Sequence, residues 1–119
     1  MIELLNSVKD SVILYLMTRF MHPSIDDITL PDILGALSDP MRIKIVQRLM
    51  AGKGCTSCAD ATPCPTMAKS TLSHHFRILR EAGLVHTTKK GVEHHNVLRL
   101  DDVNKRFPGL LKTIFKLME

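Results

Sequence analysis

A chain of 119 residues supports one hydrophobic core, burying about two-thirds of the surface its unfolded form exposes, so residues 1–119 are expected to form a single domain. With 45% hydrophobic and 24% charged residues it is too apolar for disorder, and it lacks the 18-residue apolar run that a membrane span needs. The net charge of +4 is unevenly spread: residues 1–40 are net −4, 41–68 net +3, 69–99 net +4 and 100–119 net +1, so a polyanion is drawn to the middle of the chain.

From Ile2 to Met21 apolar residues recur at three- and four-residue spacing (Leu4, Leu5, Val8, Val12, Leu16, Phe20), which predicts an amphipathic helix in need of a partner surface. Glu3, Lys9 and Asp10 interrupt it too early for a signal peptide, and no small-residue cleavage site follows. Met17 and Met21 stand as alternative starts to Met1, which would make this segment an extension. His22-Pro23 ends it; a polar linker to residue 30 and a short helix from Pro31 to Leu37 follow. Ser38-Asp39-Pro40 is a helix start, an oxygen-bearing cap followed by proline in the first turn, and Met41, Ile45, Val46 and Leu49 give the next helix its inner face.

Gly52-Lys53-Gly54 reads as a turn and Cys55–Ala61 as one short helix stopped by Pro63 and Pro65. A further helix runs from Lys69-Ser70 to Ala82, with Leu72, Phe76 and Leu79 inward and Gly83 as its left-handed stop. Leu84–Thr88 and Val92–Leu100 read as strands joined by a turn at Lys89-Lys90-Gly91, with valine and leucine facing inward. Asp101-Asp102 reads as the cap of a last helical region broken at Phe107-Pro108-Gly109; its final turns (Leu110, Leu111, Ile114, Phe115, Leu117, Met118) are apolar enough to serve as a dimer seam.

Helix, turn, helix and hairpin in this order predict a mainly α fold with a small β-hairpin wing, a winged helix-turn-helix dimerised through its N- and C-terminal helices. Residues 1–30 are its extension and linker, 31–101 its core and 102–119 its dimerisation helix. With Leu72, Phe76 and Leu79 turned inward, Ser70, His74 and Arg77 fall on the opposite face, flanked by Lys69, Thr71 and Ser73. Hydroxyls, imidazole and guanidinium suit base edges and phosphates of duplex DNA, and Lys89 and Lys90 suit phosphates. Five of the six histidines lie between 69 and 99. Of these, His75 sits at the core boundary as a structural histidine, and His94 and His95 alternate faces on a strand.

Ala36-Leu37-Ser38-Asp39-Pro40-Met41-Arg42, then Ser70-Thr71-Leu72-Ser73-His74-His75-Phe76-Arg77-Ile78-Leu79-Arg80-Glu81-Ala82-Gly83-Leu84-Val85, resembles the ArsR/SmtB family of winged-helix repressors over about residues 31–101. The resemblance implies a homodimer built from first and last helices that binds a dyad-symmetric operator, uses Ser70, Ser73 and His74 on DNA, and is released by an inducer; the odd number of clustered cysteines reads separately as cytosolic thiols, hence a cytoplasmic protein. Cys55, Cys58 and Cys64 precede the reading helix, where metalloid-sensing members carry thiolates. Three thiolates suit As(III) or Sb(III), or three of four ligands to Zn(II) or Cd(II). The spacing is wider than the close pair of arsenic sensors, and the two prolines keep the three sulfurs off one helix. A thiol redox switch and inert loop cysteines are the other readings. Asp101 and Asp102 without a histidine in the terminal helix leave no interhelical zinc site of the family's kind.

Two further classes compare poorly. A thiol-disulfide oxidoreductase would place Cys55-x-x-Cys58 after a strand at a helix start, and no strand is expected there, so no enzyme is predicted. A dimerising interaction module without DNA leaves the basic middle of the chain unexplained.

Overall fold

The computed structural model describes residues 22–52, 56–57, 61–64 and 66–118. The amphipathic segment expected over Ile2–Met21 lies outside them. A 3-10 turn, Ile25–Asp27, is closed by the Ser24 hydroxyl donating to Asp27 Oδ2 at 2.9 Å. Helix α1, Leu30–Ala36, is capped by Thr29, whose Oγ1 accepts from Asp32 N at 3.2 Å. Helix α2, Pro40–Ala51, starts where the sequence requires: Asp39 Oδ1 accepts from the N–H groups of Met41 at 2.7 Å and Arg42 at 3.3 Å, and Pro40 supplies no N–H that needs a partner.

Helix α3, Lys69–Glu81, ends in a Schellman turn, with Leu84 N–H donating to Leu79 O and Gly83 N–H to Arg80 O, both at 3.0 Å. Gly83 has φ +87°, and a Cβ there would lie 2.6 Å from Ile28 Cγ1, so glycine is required by both backbone and packing. Strands β2, Val85–Lys90, and β3, Glu93–Leu98, form an antiparallel hairpin around Gly91-Val92, with Gly91 at φ +63°. Helices α4, Leu100–Arg106, and α5, Leu110–Leu117, complete the described chain. No described helix is long and apolar enough to cross a membrane.

One core joins these elements. Ile28, Ile33, Ile45, Val46, Phe76, Leu79, Leu84, Val85, Val103 and Leu111 are all fully buried, each contributing about 1.5–3 kcal/mol by leaving water. Ile43 is buried with the α2 set, whereas Met41 is only half-buried.

Four expectations are corrected. Thr56–Ser57, expected within a helix, is a strand, β1, paired antiparallel to β3 (Thr56 opposite Asn96, Ser57 opposite His95). The wing is therefore a three-stranded sheet in the order β1-β3-β2, because the second edge of β3 offers backbone groups whose pairing outweighs local helix preference. Lys89 and Lys90 belong to strand β2, opposite His94 and Glu93, and the turn is Gly91-Val92. On β3 Leu98 packs against the core as expected, but the fully buried residue is Asn96 rather than a valine: Val97 is 38% exposed and Val92, in the turn, 97%. Thr87 Oγ1 donates to Asn96 Oδ1 at 2.7 Å between the strands, so a hydrogen bond makes this polar pair tolerable inside. Asp101 and Asp102 do not cap α4, whose N-cap is Arg99; they lie in its first turn, where Asp102 Oδ2 accepts from Arg99 Nε at 3.0 Å.

Candidate nucleic-acid interface

The 3.6-residue period sorts α3 into two faces. His75, Phe76 and Leu79 are buried and Leu72 is half-buried, while Lys69, Ser70, Thr71, Ser73, His74 and Arg77 are all exposed. The structure thus gathers the six candidate residues of this helix on one accessible surface. Its N-cap, Ala68, makes no side-chain capping bond, so the first-turn N–H groups point outward beside Lys69 and Ser70, a combination that favours an anion such as phosphate. Arg77 Nε donates to Glu81 Oε1 at 3.0 Å. With side chains 67% and 61% exposed, this pair is worth only a few tenths of a kcal/mol, so it orients the guanidinium without withdrawing it from a ligand.

On the wing, Lys89 and Lys90 are both exposed near the tip. Lys90 faces Glu93 across the strands, and Glu93 Oε2 also lies 3.4 Å from His95 Nε2. Lys89 faces His94, which is half-buried. The two lysines therefore differ: one has an acidic cross-strand neighbour and the other does not.

Besides the apolar core that they share, α3 is tied to α2 by a polar joint in which the sequence signalled only the two ends. Arg42 Nε donates to the Ala36 carbonyl at 2.6 Å, and Arg42 Nη1 lies 3.3 Å from His75 Nδ1 and 3.7 Å from Asp39 Oδ2. The helix-start signal gives Asp39 and the inner-face pattern gives His75, but their link through Arg42 spans 33 positions between Arg42 and His75. Partial burial alone would raise the Asp39 carboxyl. The N–H groups of Met41 and Arg42 and the Arg42 guanidinium outweigh it and hold the group below its usual range. His75 is lowered from the ordinary histidine value by burial first, with Asp39 opposing and Arg42 and His74 adding to the shift.

Of the three cysteines, Cys55 and Cys58 lie outside the described residues. Cys64 sits in the turn before α3, its Sγ 3.2 Å from Thr66 Oγ1, and the Thr66 hydroxyl, with backbone N–H groups of Thr66 and Met67, lowers the thiol below its usual value. Among the described residues no three His, Cys, Asp or Glu side chains are grouped to hold a metal ion.

A helix-turn-helix domain model matches residues 37–88, the span from the end of α1 into strand β2. The chain is 36% identical over 89 residues to the uncharacterised HTH-type transcriptional regulator YceK of Bacillus subtilis (strain 168), covering 75% of this chain and 89% of the relative. It is 37% identical over 79 residues to the arsenical resistance operon repressor of Staphylococcus xylosus, covering 64% and 74%. Among solved structures, an ArsR family transcriptional regulator superposes with a TM-score of 0.59 at 21% identity, over 76% of this chain and 97% of that one. A helix-turn-helix domain implies DNA binding.

Proposed function

The chain belongs to the ArsR family of winged helix-turn-helix transcriptional regulators, DNA-binding proteins rather than enzymes, and on that premise we propose that it is a cytoplasmic, homodimeric operator-binding repressor released by an inducer. The observation that carries this reading is the division of α3 into a buried apolar face and an exposed face of hydroxyls, imidazole and guanidinium. In this account α3 enters the major groove. Lys69, Ser70 and Thr71 meet backbone phosphate at the helix N-terminus, Ser73, His74 and Arg77 meet base edges, and Lys89 and Lys90 hold the flanking backbone.

For the inducer, the name of the Staphylococcus xylosus relative supports As(III), or a soft metal, at Cys55, Cys58 and Cys64. Cys55 and Cys58 directly flank β1 in sequence, and β1 pairs with wing strand β3. A ligand drawing these thiolates together would load both the wing and the loop leading to α3. The lowered Cys64 thiol favours a second reading, oxidation of the same cysteines, since the thiolate is the reactive form.

One assay tests these points together. Anisotropy titrations use a duplex enriched from a random pool by the wild-type protein. Arg77→Ala is expected to weaken binding by about 1–3 kcal/mol and relax base preference at one position of each half-site. Repeating the titration with As(III), Zn(II), Cd(II) or a thiol oxidant, against a triple Cys→Ser variant, assigns the inducer. Equal affinity of wild type and Arg77→Ala would remove the base-reading role, and no response to any of the four would remove the cysteine sensor.

A further inference from the structure

A helix can read base edges only if its angle to the rest of the domain is fixed, and the polar joint that supplements the core in holding α3 contains a group that titrates. The Arg42 guanidinium bridges three elements: the Ala36 carbonyl at the end of α1, the Asp39 carboxylate that caps α2, and the His75 ring on α3. A guanidinium carries donors only, so at 3.3 Å His75 Nδ1 must accept, which requires a neutral ring with its proton on Nε2. Protonation turns that acceptor into a donor and sets two cations against each other. His75 is 8% exposed as a residue, so water cannot easily take over the lost bond. The charged and titratable groups facing it are Asp39 and Arg42 from α2 and His74 from its own helix; α1 reaches the joint through the Ala36 carbonyl. Among the described residues, Asp39 is the one group that favours the imidazolium. A protonated His75 therefore competes with Arg42 for the same carboxylate, and the bridge between α2 and α3 cannot keep its arrangement.

We propose that Asp39, Arg42 and His75 are positioning residues for the DNA-reading helix, and that protonation of His75 breaks their link and releases DNA as the pH falls. This rests on the reading of α3 as the DNA-contacting helix. The sign separates the proposal from general electrostatics. A polyanion favours protonation of any histidine exposed at its surface, so by general electrostatics acid tightens binding. Through His75 acid loosens it. By linkage, DNA binding must then make His75 harder to protonate.

Histidine ring signals of the wild-type protein, titrated by NMR free and bound to the enriched duplex, test this directly. The His75 midpoint is expected to fall on binding by about half a unit or more, equivalent to about three-fold in affinity between the two ring states. A His75 midpoint that is unchanged or raised overturns the proposal. A second arm uses His75→Asn, which places an acceptor near the Nδ1 position and does not titrate. The ratio of wild-type to variant Kd should grow as the pH falls from 7.5 and reach about three-fold or more below both His75 midpoints measured by NMR, with folded fractions checked by circular dichroism. A flat ratio overturns the proposal, because a merely structural His75 changes stability and not the pH profile of binding. Failure of the wild type to bind any enriched duplex at pH 7.5 sinks the DNA reading itself, an outcome distinct from binding with a flat ratio.

Discussion

His22 acts at long range on the wing. Its Nε2 accepts the Thr87 N–H at 2.9 Å on the outer strand β2, and its ring stacks on His86 at 4.0 Å. Two further bonds secure the same segment, Arg99 Nη1 to the Pro23 carbonyl at 2.7 Å and Arg106 Nη2 to the Ile28 carbonyl at 2.9 Å. Burial, then the charges of His86, Arg99 and Arg80, push His22 down from 6.5 to about 4. Because the folded value lies below the unfolded one, the unfolded chain takes up the proton first. The stabilisation is complete above pH 6.5 and is lost as pH falls toward about 4. His22→Phe keeps the stacking surface and removes the acceptor. It should unfold at lower urea than wild type at pH 7, with the gap closing by pH 4.5, and a constant gap across that range would exclude the role. Nothing in local sequence announces this bond, because its partners are 65 residues apart. The Asp39 cap and the Gly83 stop, by contrast, were legible because each is decided within a few residues by an N–H without a partner or a backbone angle that only glycine adopts readily.

At the scale of elements, α2, α3 and the hairpin were readable because apolar spacing and helix ends agreed. The sheet was less so. Strand β1 exists through pairing with β3, whose partner residues lie about 40 positions further on, and two residues have no periodicity to read. Val92 and Val97 seemed inward by type, yet the register puts Asn96 opposite Thr87 on the buried face, where a mutual hydrogen bond replaces apolar packing. Moving Lys89 and Lys90 from turn to strand also yields a prediction that a turn assignment could not. Lys89→Ala should reduce the slope of log K against log salt by about 0.9, one phosphate contact. Lys90→Ala should reduce it less, because Glu93 opposite already competes for that charge, and Glu93→Gln should strengthen binding. Equal slopes for wild type and Lys89→Ala would take the wing off the DNA backbone.

For the whole molecule, the account needs two copies of α3 on one face of DNA. Helix α5 buries Leu111 in its own core and leaves Leu117 80% and Met118 53% exposed, apolar surface that a second copy would cover. The N-terminal amphipathic segment expected to share that seam lies outside the described residues, as do Cys55 and Cys58, so the exposed face of α3 was legible in the sequence, whereas the expected seam and cysteine cluster are described only in part. The two α3 helices of a symmetric dimer should meet DNA about one helical turn, 10–10.5 base pairs, apart. Methylation interference on the enriched duplex, wild type beside Arg77→Ala, measures this directly. The account predicts two symmetry-related major-groove patches at that spacing, with one position in each lost in the variant. A single patch, or a pattern that Arg77→Ala leaves unchanged, would contradict it.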